Sequence, residues 1–374
     1  MTLHSVFNDS FSSISSLNDD TCETSETGET SDTGNTCDTG ETKQSITSST
    51  ESLSDTDEPL LTDDRVNLFP IKYPDIYDMY QKQKASFWVP EEVDLSQDVV
   101  EWDQLDKNEQ HFLLMVFAFF AGSDLIVNEN LDCEFTECIK VPEARMAYHF
   151  QEMMEDIHTV QYQTIIEALV HDIDIKQDLL QSTFKIPTIR AKADWARKWI
   201  KNGSFVQRLI AFSIVEGIFF SASFCSIFWV KKRGILRGVC QSNEFIARDE
   251  GMHRDFAILL YRNHIVHKLP HSTIRTMIEE AVQVETQFIA ACLPYNLTGM
   301  NKELMSTYVK FVANHLCNEL IGETIYNVEN PFMWMNLISM EGKTNFFEKK
   351  VSNYSRQAVL AQKEDNLVVF DAEF

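Results

Sequence analysis

Two Glu-x-x-His motifs stand in the middle of the chain, Glu155-Asp-Ile-His158 and Glu250-Gly-Met-His253. On a helix, side chains at i and i+3 share a face, so each motif presents a carboxylate and an imidazole to one point. One such match is expected by chance in 374 residues and reads equally well as a surface pair. Two matches, each in an otherwise apolar helix-periodic stretch, ask for a common task. Two further apolar stretches carry an isolated acid, Asp124 in FFAGSDLIVNENL and Glu216 in IVEGIFF. The order along the chain is acid, Glu-x-x-His, acid, Glu-x-x-His. The steps are similar, 31 residues from 124 to 155 and 34 from 216 to 250, which describes two like helix pairs.

Four carboxylates and two imidazoles, from Asp124, Glu155, His158, Glu216, Glu250 and His253, describe a site for two metal ions. Buried without metal, four isolated charges would be costly. Oxygen ligands with imidazole suit iron or manganese, and the lack of a thiolate cluster disfavours an iron–sulfur centre. This pattern is the dinuclear carboxylate site of ferritin-like helical bundles. A metal pair in such a bundle can store iron, oxidise a substrate or make a protein radical. Tyr162 follows His158 by four residues and Glu155 by seven, on the same helical face. Phe220 and Phe224 follow Glu216 at the same period, and Ile246 precedes Glu250 by four, so apolar side chains should surround the site. They also fit ordinary core packing; a dry cage beside a redox-active tyrosine would shield a radical.

The elements that must position these residues are helices. Strand-like alternation is scarce, so the fold class is all-α. Asp106-Lys-Asn-Glu109 is a capping-box pattern opening a helix to about Asn130. Pro142 suits the first turn of a second helix, reaching about Leu169. Further helices are expected near 188–201, 204–232, 242–265, 272–292 and 302–326, with breaks around Gly234, Pro270, Pro294 and Pro331. The run Leu209 to Val230 has Glu216 as its only charge and is followed by Lys231-Lys232-Arg233. That fits a transmembrane helix, and the competing reading is a helix buried all round in a large bundle. What Glu216 binds decides between them, and a metal favours the bundle.

The charge is uneven. Residues 1–64 hold 15 Asp/Glu against one Lys, so they carry −14 of the formal −25. The remainder is also acidic, which argues against a nucleic-acid backbone as partner. Residues 23–40 read ETSETG-ETSDTG-NTCDTG, a segment too poor in apolar surface to offset its ordering entropy, and it is expected to be disordered. The eight cysteines form no Cys-x-x-Cys pair, and MTLHSVFNDS lacks the features of a secretory signal. Reduced thiols in the cytoplasm are expected.

From about Phe69 to Phe374 the chain resembles the small, radical-bearing subunit of class I ribonucleotide reductase of the eukaryotic and large-DNA-virus type. The resemblance rests on SFWVPEEVDLS (86–96), GSDLIVNENL (122–131), MEDIHTVQY (154–162), VEGIFFSASFCSIFWVKKRG (215–234), SNEFIARDEGMHRDF (242–256), VENPF (328–332) and EGKTNFFEKKV (341–351). It implies two iron ions per subunit rather than manganese, held by Asp124, Glu155, His158, Glu216, Glu250 and His253, with a tyrosyl radical on Tyr162. It implies further that Trp88, Asp249 and His158 form an internal electron and proton relay, and that Tyr354 hands the radical to a separate large subunit. The ending VVFDAEF (368–374) is similar to the peptide that docks there, with Phe370 and Phe374 as anchors. Ribonucleoside diphosphates would be reduced on that partner, and this chain would form a homodimer. The expected organisation is an acidic tail (1–64), a ferritin-like di-iron domain (65–340) and a mobile docking tail (341–374). A self-contained oxidase would need no docking peptide, and a silent or storage copy need not keep the tyrosine.

Overall fold

The structure, a computed structural model, describes residues 58–130, 135–293, 295–332 and 334–335, excepting the side chains of 124–126, 128–130 and 200–201. Among these residues there is no strand, only an isolated bridge between Leu297 and Met300. The labelled helices are α1 (Pro74–Ala85), α2 (Lys107–Asn130), α3 (Pro142–Leu169), α4 (Pro187–Asn202), α5 (Phe205–Arg233), α6 (Arg237–His264), α7 (His271–Cys292) and α8 (Lys302–Ile321). Helices α2 and α3 pack together, as do α5 and α6, and α3 meets α6 between the pairs. Helices α7 and α8 pack against each other and against the middle of α5.

Local chemistry explains the starts. Asp106 Oδ1 accepts from the amides of Asn108 (2.8 Å) and Glu109 (2.9 Å), and Glu109 reaches back to the Asp106 amide, so the capping box forms as the sequence predicts. Pro142 and Pro187 sit at the first turns of α3 and α4. Ser204 and Gln207 make a second capping box at α5.

The departures have physical causes. Helix α6 begins at Arg237, ahead of the expected 242, because Asp98 accepts from the amides of Gly238 (3.1 Å) and Val239 (2.7 Å). That cap comes from a distant helix, Ser96–Trp102, and no local residue announces it. Helix α8 ends at Ile321 rather than near 326. Gly322 adopts the left-handed φ of 73° that stops it, and Asn314 gathers the amides of Ile325 (3.1 Å) and Tyr326 (2.8 Å). Helix α5 is two α segments joined by a π turn, Val215–Phe219. Short helices at Pro59–Thr62 and Ile173–Leu180, and α1 itself, were not foreseen. The first buries Leu60, and Glu58 beside it accepts from the amides of Val266 (2.9 Å) and His267 (2.7 Å). The helical body therefore includes residues ahead of the boundary expected at 65.

The question of the apolar run is answered by burial. The most apolar window of α5 has mean hydropathy 1.8, and 89% of it lies inside the protein. It is a core helix.

Candidate metal centre

Helices α3 and α6 are each 28 residues long and unbroken, so their Glu and His side chains keep the i, i+3 relation across the interface. Ligand atoms of Glu155, Glu216, Glu250 and His253 all lie within 4.8 Å of one another, and all four residues are buried. His158 faces the same centre, its Nδ1 3.2 Å from Glu155 Oε2 and 3.1 Å from Glu250 Oε1. His253 Nδ1 lies 2.9 Å from Glu155 Oε1 and 3.7 Å from Glu250 Oε2. Both imidazoles thus turn Nδ1 inward. The sixth expected ligand, Asp124, lies on α2; its side chain falls outside the described residues.

The donor set fits metal. Glu155 Oε1, Glu216 Oε2, both oxygens of Glu250 and His253 Nδ1 are buried without a hydrogen bond, although they face one another closely. Buried polar atoms are seldom left so; carboxylates and imidazoles converging on one point are satisfied together by divalent cations. Without metal, protons take that place. Burial pushes Glu155 up, but the charge of His253 and the contact with His158 outweigh it and set its pKa at about 2. Burial lowers His253, and Glu155 and Glu250 more than reverse this, to about 9. His158 stands well above its ordinary value because Asp249, Glu155 and Glu250 overcome its burial. Glu216 is raised well above the usual carboxylate range by burial first, then by the charges of Glu250 and Glu155.

One side of the cluster is wired by hydrogen bonds. Trp88 Nε1 donates to Asp249 Oδ2 at 2.7 Å, and that same oxygen lies 3.3 Å from His158 Nε2. The Trp88 and His158 rings are nearly parallel, 6.1 Å apart at 19°. Arg248 holds Asp249 Oδ1 at 2.9 Å and also reaches the carbonyl of Ser86, tying the Trp88 segment to α6. The other side is aromatic. Tyr162, 1% exposed, stacks on Phe120 at 4.4 Å and 3°. Phe120 also meets Phe224 (5.1 Å) and Phe220 (5.9 Å), as the apolar surround requires. Ile246 is likewise buried.

The structure adds residues that the motifs did not name. Gln151 donates to Glu216 Oε1 at 2.8 Å. It precedes Glu155 by four, and Phe120 precedes Asp124 by four, so helical period alone could have found both. Arg248 had no such signal. Tyr354, Phe370 and Phe374 lie outside the described residues.

Comparison with known proteins agrees with this geometry. The family profile described as "Ribonucleotide reductase, small chain" matches residues 65–331. The chain belongs to that family. It is 49% identical over 324 residues to a ribonucleoside-diphosphate reductase small chain of Trypanosoma brucei brucei, covering 86% of this chain and 96% of the relative. A vaccinia virus (strain Ankara) small chain is 48% identical over 320 residues, covering 85% and 100%. Among solved structures, the ribonucleotide reductase Rnr4 homodimer of Saccharomyces cerevisiae superposes with a TM-score of 0.69 at 30% identity, over 76% of this chain and 93% of that one. The function is therefore that of a ribonucleoside-diphosphate reductase small subunit, on a ferritin-like fold with a buried carboxylate and histidine cluster compatible with metal. Readings as an iron store or as a self-contained oxidase give way to this one.

Proposed function

We propose that the cluster holds two iron ions, with Asp124, Glu155, His158, Glu216, Glu250 and His253 as ligands, and that Tyr162 carries the radical this family uses. Iron bound there supplies one-electron oxidation driven by O₂. The chain's own residues do the rest. Glu155 and Glu250 can each reach both histidines, so they are placed to bridge the two halves of the site. Gln151 fixes one oxygen of Glu216 and leaves the other to face the centre. Tyr162 would give one electron and its phenolic proton to the oxidised metal centre, and Phe120, stacked on its ring and backed by Phe220 and Phe224, lines that side of it. Asp249 accepts a hydrogen bond from the Trp88 indole and touches His158, so electron and proton can move together between Trp88 and the centre.

The observation that carries this reading is the single oxygen, Asp249 Oδ2, shared between Trp88 and a histidine of the cluster. A storage site has no use for such a connection. From Trp88 the oxidising equivalent passes to Tyr354 and on to a large subunit, where ribonucleoside diphosphates are reduced. Phe370 and Phe374 anchor the C-terminal peptide on that partner, and the small subunit is a homodimer, as the yeast relative was solved. Free cysteines at 138, 225, 240, 292 and 317 suit a reducing cytoplasm. The test is metal content. The purified chain binds about two Fe per subunit, and Glu216→Ala binds fewer; full occupancy in that variant would remove Glu216 from the ligand set.

A further inference from the structure

One buried ion pair outside the cluster has no part in the mechanism above. Lys192 on α4 and Glu285 on α7 are 2% and 0% exposed, with Nζ 2.6 Å from Oε2. The ammonium lies over the rings of Phe119 (3.5 Å) and Phe288 (3.7 Å). It also donates to the main-chain carbonyl of Phe219 at 3.0 Å. Phe219 is the last residue of the π turn Val215–Phe219, and Glu216 is its second.

Desolvation of a buried charge pair commonly cancels its attraction, so stability alone is a poor reason to keep one among aromatic rings. A π turn is an uncommon helix form whose carbonyls are displaced from the ordinary i, i+4 ladder. A charged donor placed on its last carbonyl from a neighbouring helix holds the wide turn against relaxation to α. Relaxation would rotate the residues before it, Glu216 included, about the helix axis. Glu216 is otherwise held only at its side-chain tip by Gln151 among the hydrogen bonds described for it.

We infer that Lys192 and Glu285 are positioning residues: by fixing the Phe219 carbonyl they lock the π turn and set the direction from which Glu216 enters the cluster. This rests on Glu216 being a metal ligand, and the experiment separates the two ideas. Lys192→Met keeps an unbranched side chain one atom shorter, removes the charged donor, and lets Glu285 take up a proton. Lys192→Met/Glu285→Leu replaces the pair by apolar groups and should melt close to the native protein. In the metal-free full chain, amide hydrogen exchange over 215–224 should speed up in both variants while the rest of the core keeps its protection. Titration with Co(II) should show one of the two binding steps weakened about tenfold, the size expected when a ligand loses its support.

Native exchange in both variants would overturn the inference. So would a fall in Co(II) affinity no greater than the loss of thermal stability explains, or failure of both variants to fold, since the pair would then serve packing alone. If the native chain itself binds no Co(II), the ligand reading of Glu216 fails, and the exchange data still judge whether the pair holds the turn.

Discussion

The two faces of the cluster are built from opposite materials. Toward Trp88 a polar chain runs through the packing: indole to carboxylate, carboxylate to imidazole, guanidinium to the same carboxylate. Toward Tyr162 the neighbours with described ring contacts are Phe120 and, behind it, Phe220 and Phe224. The contrast matches what each side must do on the proposed reading. A path that moves electrons with protons needs continuous hydrogen bonding, whereas a radical that must persist needs closely packed rings around it. One helix, α3, serves both: His158 points to the wired face and Tyr162, one turn on, to the dry one.

The largest effect should come from cutting the wired face. Asp249→Asn keeps the shape but removes the charge that His158 and Trp88 share, and it should lower ribonucleotide reduction with the large subunit about 10–100-fold. The radical and the iron content should survive. Loss of iron in that variant would show that Asp249 supports the ligands rather than the path.

A graded effect, on metal binding rather than turnover, is expected from pH. His253 Nδ1 faces the cluster and carries a proton up to about 9 in the metal-free protein, so metal and proton compete for one atom. A histidine whose pKa is raised binds its proton throughout the range below that value. Metal affinity should therefore rise with pH up to about 9, where the proton on His253 stops competing. Isothermal titration with Mn(II) between pH 6 and 9, a range of about three units, checks it. Affinity independent of pH would take His253 out of the ligand set.

The smallest effect on folding belongs to the dry face. Phe120→Leu should cost about 1 kcal/mol or a little more, with native metal content. Its signature is a tyrosyl signal that forms normally and decays faster, because the stacked ring no longer closes one side of Tyr162. An unchanged decay would mean that the cage is packing only.

Much of this was legible in the sequence because helical period carries it. Four apolar stretches with acids and Glu-x-x-His motifs give the bundle and five of the converging side chains described, and Tyr162 follows from the same face. Gln151 and Phe120 obey the same rule and were recoverable. Other features depend on partners far along the chain. Asp98 caps α6 across more than a hundred residues, and Arg248 ties the Trp88 segment to α6 through a main-chain carbonyl. The π turn in α5 is invisible to period because its apolar residues suit either helix form, and its external donor, Lys192, reads as one more lysine in an amphipathic helix. Trp88 and Asp249 were found by family likeness, since neither spacing nor composition distinguishes them from core and surface residues.

The central claim is that Tyr162 holds the oxidising equivalent generated at this cluster. Low-temperature electron paramagnetic resonance tests it after anaerobic Fe(II) loading and exposure to O₂, on the native chain and on Tyr162→Phe side by side. The native chain should show a tyrosyl signal with about two Fe bound per subunit; the variant should bind the same iron and consume O₂ but show none. A tyrosyl signal that persists unchanged in Tyr162→Phe would place the radical elsewhere and contradict the account.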